Sequence, residues 1–514
     1  MNGAEALVRT SVAAGVEICF ANPGTTEMQL VAALDSVPGM RAVLGLFEGV
    51  CSGAADGYAR MSGRPAAVLT HLGPGFANSI ANLHNARRAR SPVVNWIGDH
   101  ASWHRPFDAP LSSDIASLAA PVSGWLRSVE SAQGLAADGA EAIAAALSPP
   151  GQVATLIVPQ DCTWSPAEGP AAPKRPAAPA PVDEARIEAA ARALEGGASA
   201  ALYLGGAAVR GAALAAAGRI AAASGCALLH ETFTARIERG AGRAAVERLP
   251  YFPEQAAERL GDFGEVVRVG TPEPVAFFGY PGQDSRLCPD TTRLQALAEP
   301  GDDLTGALEA LAERVKAPAS APGAPAARPD PPSGELSVGS LGQALAALQP
   351  EGAVVIDEGA TSGLAYYALA AGAPPHDCLA LTGGAIGQGL PSAVGAALAC
   401  PDRKVVALQA DGSGMYTLQA LWTCARESLD VVVVVASNRA YRILQVELGR
   451  AGVAEPGPQA RALTDLSHPE LDWTALARGL GVPASRADDA DAFCEQLRRA
   501  LAEPGPQLIE AVLA

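Results

Sequence analysis

The clearest structural pattern in the chain lies in residues 405–444, VVALQADGSGMYTLQALWTCARESLDVVVVVASNRAYRIL. An apolar run ends at Asp411, and a near-continuous valine run ends just before Asn438. A helix-favouring segment lies between the two runs, so the pattern predicts a strand–helix–strand unit with both strands buried in a parallel sheet. The two strands of such a unit open onto the same edge of the sheet, where ligands bind.

Asp411 and Asn438 would therefore lie side by side at that edge. Their side-chain oxygens are ligands that Mg²⁺ prefers in proteins. Gly412 and Ser413 can offer backbone N–H and hydroxyl groups to a phosphate at a helix start. An ordinary α/β crossover, in which the acid and the amide only shape turns, would produce the same local pattern, so the rest of the chain has to decide.

Composition bounds the size and the partners of the protein. The chain has 514 residues, of which 49% are hydrophobic, which indicates a large α/β protein. Its net charge of −17 argues against nucleic acid or an anionic membrane as a partner. No apolar run approaches the roughly 20 residues that cross a bilayer, and the start of the chain lacks a signal-peptide pattern. Nine cysteines are scattered without a CxxC pair, so we expect a cytoplasmic protein with reduced cysteines.

Two stretches rich in proline and alanine, residues 165–182 and 317–333, are typical of semi-rigid linkers. They divide the chain into three predicted domains, each an α/β domain with a parallel sheet flanked by helices. The predicted domains are 1–165, 183–316 and 334–514. The strands expected in the central domain lie near residues 199–205, 227–231 and 274–279.

Polar residues follow four successive predicted strands in the first domain. Because the ends of parallel strands share one edge of a sheet, these residues are expected to form one site. The turns or residues in question are Asn22-Pro23-Gly24-Thr25-Thr26, Phe47-Glu48, His71 and Asp99-His100. Considered one at a time, these residues have structural explanations. Glu48 could simply stabilise a helix N-terminus, and His71 could be a core histidine.

The last domain repeats this arrangement. A predicted strand at 353–356 leads into DEGATS, residues 357–362. A second, at 379–382, leads into GGAIGQGLP, residues 383–391, whose glycines permit close backbone approach to a ligand. A plain loop before a helix would be the alternative interpretation of that glycine run.

Three motifs of the first domain, ANPGT (21–25), LFEGVCSGAADGYAR (46–60) and THLGPGFAN (70–78), resemble thiamine diphosphate (ThDP) enzymes. The family is the superfamily of acetolactate synthase, benzoylformate decarboxylase and pyruvate decarboxylase. The opening stretch resembles its diphosphate–Mg²⁺ motif, although Ala410 and Ser437 replace a usual Gly and Asn. The resemblance covers essentially the whole chain and is weakest in the central domain.

The resemblance implies ThDP and Mg²⁺ as cofactors. Glu48 would face the aminopyrimidine ring, the Gly384 carbonyl would accept a hydrogen bond from its amino group, and Ile386 would wedge between the two rings. The residues implied to contact the diphosphate are Thr361, Ser362, Gly412 and Ser413. The implied metal ligands are Asp411, Asn438 and the carbonyl of Ala440. Asn438 is also implied to contact the cofactor.

The implied activity is that of a C–C bond lyase or carboligase on a small 2-oxo acid, through decarboxylation to an enamine intermediate. Besides Glu48, the implied catalytic residues are His71, which matches an active-site histidine of benzoylformate decarboxylase, and Thr25, which matches its substrate-contacting serine. Gly279 stands where a partner histidine is expected, so both protonation and addition to a second carbonyl stay open. The alternative is a catalytically idle ThDP-fold paralogue with a regulatory or assembly role. No GxGxxG motif opens an early strand–helix unit, which argues against an NAD dehydrogenase.

The resemblance also bears on partners. In this family the cofactor lies between the pyrimidine domain of one subunit and the diphosphate domain of another, which implies at least a homodimer and favours a homotetramer. Some relatives bind FAD in the central domain. Residues 250–263, PYFPEQAAERLGDF, carry no flavin signature, so we expect a central domain without FAD.

Overall fold

The computed structural model of the protein describes residues 1–513. They form two compact units: one comprises residues 1–177, 329–370 and 381–513, the other 178–328 and 371–380. The passages near residues 177 and 328 fall within the two proline-rich stretches. The boundaries of the three predicted domains stay predictions. None of the helices within residues 1–513 is long and apolar enough to cross a membrane.

The N-terminal part of the larger unit is a six-stranded parallel sheet flanked by helices. The strands are β1 (Ile18–Asn22), β2 (Arg41–Leu44), β3 (Ala66–His71), β4 (Val93–Asp99), β5 (Trp125–Ser128) and β6 (Val153–Pro159). The helices are α1 (Gly3–Ala13), α2 (Met28–Ser36), α3 (Glu48–Ser62), α4 (Leu72–Ala89), α5 (Ile115–Ala119), α6 (Ala132–Leu147) and α7 (Gln160–Trp164). The order β2-β1-β3-β4-β6-β5 makes the four polar strand ends neighbours, as predicted.

The smaller unit contains a five-stranded parallel sheet in the order β10-β8-β7-β11-β12. The strands in this part of the chain are β7 (Ala200–Leu204), β8 (Ala227–His230), β9 (Ile237–Arg239), β10 (Glu247–Arg248), β11 (Glu265–Val269) and β12 (Arg293–Ala298). The helices are α8 (Glu184–Leu194), α9 (Gly211–Ser224), α10 (Pro253–Gly261) and α11 (Leu304–Arg314).

One predicted strand of this unit is wrong. Residues 274–279 form a loop, held by a single bridge between Val275 and Arg286, and β12 occupies the edge of the sheet instead. Pro274 cannot donate a ladder hydrogen bond. The ring of Phe277 packs on the ring of Tyr251, with centroids 5.6 Å apart, rather than in the sheet core. The apolar run therefore reflects a local aromatic cluster and not a buried strand.

The C-terminal part of the chain begins after the second proline-rich stretch. Its strands are β13 (Val354–Glu358), β14 (His376–Ala380), β15 (Val405–Ala410), β16 (Val431–Ser437), β17 (Ala484–Ala487) and β18 (Gln507–Val512). Its helices are α12 (Val338–Leu348), α13 (Gly363–Leu369), α14 (Gly389–Ala399), α15 (Asp411–Gly414), α16 (Ala420–Arg426), α17 (Arg442–Arg450), α18 (Pro458–Ala462), α19 (Trp473–Gly479) and α20 (Ala490–Ala502). Strand β14 belongs to the smaller unit, where it pairs antiparallel with β9.

In the larger unit the strand order is β17-β18-β16-β15-β13, and all these pairs are parallel. The strand–helix–strand unit predicted from the opening stretch is confirmed as β15, α16 and β16. The valine run of β16 is buried throughout because helices cover both faces of the sheet. The N- and C-terminal parts of this unit meet where α3 crosses α14. A Cβ atom at Gly395 would lie 1.9 Å from the Ala54 carbonyl oxygen, so the two backbones touch.

Candidate active site

Glu48 lies at the start of α3, just after β2, and only 8% of it is exposed. Asn78 Nδ2 donates a hydrogen bond to Glu48 Oε2 at 2.9 Å. A Cβ atom at Gly75 would lie 2.8 Å from Glu48 Oε1 and 3.2 Å from His71 Cβ. Glu48 and His71 therefore approach each other across a glycine that leaves room for both side chains.

His71, at the end of β3, is held by a buried acid. Its Nδ1 lies 2.8 Å from Glu27 Oε2, and that oxygen also accepts the Gly24 N–H at 2.7 Å. The Thr26 hydroxyl donates to the other Glu27 oxygen. The hydrogen bond that His71 Nδ1 donates to the Glu27 carboxylate raises the pKa of His71 above its usual range, against the opposing effect of burial. With Nδ1 engaged, Nε2 is the ring nitrogen that can bind a ligand, since it has no partner within residues 1–513.

Glu27 is a residue that sequence reasoning missed. It is fully buried, two residues after the predicted Thr25. Thr25 itself is exposed and opens the short 3₁₀ turn Thr25–Glu27. A signal was available in the sequence. A histidine at a buried sheet edge needs a hydrogen-bond partner, and Glu27 is an acid in the turn after β1, the strand beside the one that ends at His71.

Asp411 follows β15, and its carboxylate forms hydrogen bonds that connect the end of β15 to the end of the neighbouring strand β16. Its Oδ2 accepts the Arg439 N–H at 2.6 Å and its Oδ1 accepts the Gly412 N–H at 2.8 Å. Asn438 Oδ1 accepts the Ala440 N–H at 3.0 Å. The structure therefore brings Asp411 and the segment 438–440 together, as the spacing predicts.

This group has the donor chemistry of a magnesium site. Asp411 is 2% exposed, and burial raises the pKa of its carboxyl above the usual range although backbone N–H groups lower it. The Ala440 carbonyl accepts no hydrogen bond from the described residues. Residues 1–513 hold no group of three His, Cys, Asp or Glu side chains that could bind a metal ion. One carboxylate, an amide oxygen and a carbonyl nevertheless suffice for a cation that keeps water and phosphate ligands. The residues present thus fit Mg²⁺.

The residues predicted to contact a diphosphate lie at the same edge of the sheet. Gly412 and Ser413 are buried in α15, and the Ser413 hydroxyl donates to the Ala410 carbonyl at 3.2 Å. Thr361 and Ser362 form the turn after β13, the strand that pairs with β15.

Within the glycine run, the backbone is left-handed at Gly384 (φ 75°) and Gly387 (φ 93°). Glu358, buried at the end of β13, accepts the Gly387 N–H at 2.6 Å and also the Gly389 N–H. Burial raises the pKa of Glu358 to about 7. Ile386 is half-buried. The Gly384 carbonyl has no hydrogen-bond partner among the described residues, so it is available to a ligand, which fits the aminopyrimidine contact.

Within the described part of this chain, Glu48 of the N-terminal sheet edge makes no polar contact with the proposed metal ligands of the C-terminal sheet edge. Among the described residues, Glu48 makes no hydrogen bond or ion pair with Asp411, Asn438 or Ala440.

Two family models match this chain. Residues 1–118 match "Thiamine pyrophosphate enzyme, N-terminal TPP binding domain" and residues 357–511 match the C-terminal TPP binding domain. A Mycobacterium tuberculosis protein provisionally named acetolactate synthase large subunit IlvX is 52% identical, over 100% of this chain and 99% of its own. The chain belongs to the thiamine pyrophosphate enzyme family. The family resemblance predicted from the sequence motifs is confirmed.

Other relatives of this thiamine pyrophosphate enzyme point the same way. The benzoylformate decarboxylase of Pseudomonas aeruginosa is 30% identical, over 96% of each chain. The solved structure of the Rhodococcus jostii ThDP-dependent 4-hydroxybenzoylformate decarboxylase has a TM-score of 0.89 at 24% identity, covering 100% of this chain and 99% of that one. The second likeness confirms the α/β fold.

Proposed function

We propose that this enzyme is a ThDP- and Mg²⁺-dependent lyase or carboligase that acts on a small 2-oxo acid. The observation that carries the proposal is the approach of Glu48 and His71 to each other across Gly75, with His71 held by Glu27. In a member of this family, Glu48 would be the acid that contacts the cofactor, and His71 would be the titratable group that contacts the substrate. The names of the relatives, a decarboxylase of benzoylformate and an acetolactate synthase, support a 2-oxo acid.

Residues of the C-terminal sheet would hold the cofactor. Asp411, Asn438 and the Ala440 carbonyl would bind Mg²⁺. The residues that would contact the diphosphate are Thr361, Ser362, Gly412 and Ser413. The glycine run would receive the ring system, with the Gly384 carbonyl accepting a hydrogen bond and Ile386 packing between the rings.

When bound, ThDP supplies the nucleophilic carbon and the electron sink for loss of carbon dioxide from a 2-oxo acid. Glu48 would bind the aminopyrimidine ring and hold a proton there. The Glu27 carboxylate fixes the proton of His71 on Nδ1, so that Nε2 would accept or deliver a proton at the substrate. Thr25, exposed at the same edge, would contact the substrate.

Two products follow from one decarboxylation. If a proton is delivered after loss of carbon dioxide, the product is an aldehyde. If the decarboxylated fragment adds to a second carbonyl compound instead, the product is a 2-hydroxy ketone. Gly279 supplies no second proton donor where the resemblance expects a histidine, which supports addition, whereas His71 supports protonation.

The test is incubation of the purified enzyme with ThDP, Mg²⁺ and separate aliphatic and aryl 2-oxo acids, with carbon dioxide and organic products both measured. We expect carbon dioxide from at least one acid, lost when either ThDP or Mg²⁺ is omitted. A protein that binds ThDP and releases carbon dioxide from none of them would contradict the proposal and favour the idle paralogue. A homodimer or homotetramer, a flavin-free central domain and a cytoplasmic location stay predictions.

A further inference from the structure

Asn85 of α4 pairs with one residue of the glycine run. Its Nδ2 donates to the Ala385 carbonyl at 2.7 Å, and its Oδ1 accepts the Ala385 N–H at 3.2 Å. Asn85 is fully buried. A Cβ atom at Gly383 would lie 2.4 Å from Asn85 Oδ1, so the loop backbone lies directly on the helix. One side-chain amide thus satisfies both backbone groups of Ala385.

This pairing orients the Gly384 carbonyl. The Gly384 carbonyl and the Ala385 N–H belong to the same planar trans peptide, in which C=O and N–H point in opposite directions. Because the Ala385 N–H points at Asn85, the Gly384 carbonyl points away from Asn85. The left-handed φ of 75° at Gly384 permits this turn of the chain.

Other polar side chains hold the two ends of the run. His84 Nε2 lies 3.1 Å from the Gly383 carbonyl oxygen. The Asn82 Nδ2 donates to the Gly387 carbonyl at 3.2 Å and the Thr417 hydroxyl donates to the same oxygen at 2.9 Å. With both ends anchored, the middle of the loop depends on Asn85.

We propose that Asn85 is a positioning residue for the cofactor: it presets the direction of the Gly384 carbonyl before ThDP binds, without touching ThDP. The inference rests on the proposed function, since it needs the aminopyrimidine ring as the group that this carbonyl meets. Loss of the Asn85 bonds frees the peptide plane, so that only a fraction of molecules present the carbonyl correctly. The apparent dissociation constant rises by the inverse of that fraction.

The test compares two ligands by calorimetry in the presence of Mg²⁺: ThDP, and inorganic pyrophosphate, which lacks the rings. The variants are Asn85→Ala and the isosteric Asn85→Asp, which places a carboxylate oxygen against the Ala385 carbonyl. Ser79→Ala is the control, because Ser79 is buried in the same helix and its hydroxyl bonds only within that helix, to the Phe76 carbonyl. Thermal unfolding of each variant without ligand identifies any that does not fold.

We expect both Asn85 variants to bind ThDP at least about tenfold more weakly than wild type, with pyrophosphate binding unchanged and Ser79→Ala like wild type. Equal losses for both ligands, or ThDP binding unchanged in a folded Asn85 variant, would overturn the inference. If Asn85→Ala does not fold, Asn85→Asp decides; if neither folds, Asn85 is structural and the inference fails. A wild-type enzyme that binds no ThDP would instead contradict the proposed function.

Discussion

At the residue scale, the buried acid Glu27 controls the protonation of His71. Its carboxylate stabilises the protonated form of His71, which is why the pKa of His71 lies above its ordinary value. Since the folded-state pKa exceeds the unfolded value, this pair stabilises the fold fully below about pH 6.5. The stabilisation is lost as the pH rises through the raised pKa.

Glu27→Gln keeps the shape of the side chain and removes its charge. We expect the pKa of His71 to fall toward or below its ordinary value, because the charged hydrogen bond is replaced by a neutral one while burial persists. An NMR titration of the His71 ring in wild type and variant measures this. The control is Glu351→Gln at an exposed acid, which should leave the titration unmoved. An equal His71 pKa in wild type and Glu27→Gln would contradict the assignment.

Asp411→Asn tests the proposed metal site. The amide has nearly the same shape but no charge, so the proposed Mg²⁺ site would lose its carboxylate ligand. We expect the Mg²⁺-dependent part of the ThDP affinity to fall at least about tenfold, or about 1.4 kcal/mol. Calorimetric titration with ThDP at fixed Mg²⁺ measures it, with Asp402→Asn, at an exposed acid before the same strand, as the control. Equal affinities for both variants would argue against a metal at Asp411.

The sequence predicts Asp411 and Asn438 but misses Glu27 and Asn85, which act by holding other residues in place. Asp411 and Asn438 follow apolar runs, and the sheet order brings them together as expected. Asn85 lies in the middle of α4, where nothing in a single sequence marks its partner Ala385, which is 300 residues away. Such long-range pairs depend on how α4 packs, and a local pattern carries no information about that.

At the element scale, α3 and α14 cross at glycines. At Gly57 a Cβ atom would lie 2.2 Å from the Ser392 carbonyl oxygen, and at Gly395 it would lie 1.9 Å from the Ala54 carbonyl oxygen. Both neighbours are backbone atoms of helices, so neither can move away by a side-chain rotation. The glycines therefore set the distance between the helix that begins with Glu48 and the helix that follows the glycine run.

Gly395→Ala should destabilise the enzyme by roughly 1–3 kcal/mol. Alanine favours a helix over glycine by up to about 1 kcal/mol, but the collision with the Ala54 carbonyl outweighs that gain. Urea unfolding followed by circular dichroism measures the change. Gly449→Ala, in α17, is the control and should be neutral or stabilising, because an added Cβ there lies within 4 Å of nothing beyond its chain neighbours and its own helix backbone. A Gly395→Ala enzyme as stable as Gly449→Ala would contradict the close crossing.

The elements themselves were largely predictable from periodicity. The valine run and the apolar run before Asp411 appear as β16 and β15, and the segment between them contains α16. The strand expected at 274–279 fails because hydrophobic content alone does not distinguish a buried strand from an aromatic loop cluster. The edge strand β12 was missed because its sequence, RLQALA, is only partly buried and so lacks a clear pattern.

At the scale of the whole molecule, the chain leaves apolar surface near its C-terminal site uncovered. Helix α17 buries none of its residues, and Leu463 is 79% exposed. A second subunit that brings its own Glu48 to this site would cover such surface. We predict that the active species is at least a dimer. Sedimentation velocity with activity assayed across the same dilution series measures it, and an active monomer would refute the prediction.

We propose that this enzyme uses Glu48 and ThDP to cleave a 2-oxo acid, and the Glu48→Gln variant is the sharpest test of that proposal. The measurement is carbon dioxide release by wild type and variant, both saturated with ThDP and Mg²⁺, on the best 2-oxo acid of the panel. We predict that the variant still binds ThDP and that its turnover falls by at least about a hundredfold, since it cannot transfer the proton. A Glu48→Gln enzyme with bound ThDP and wild-type turnover would contradict the account.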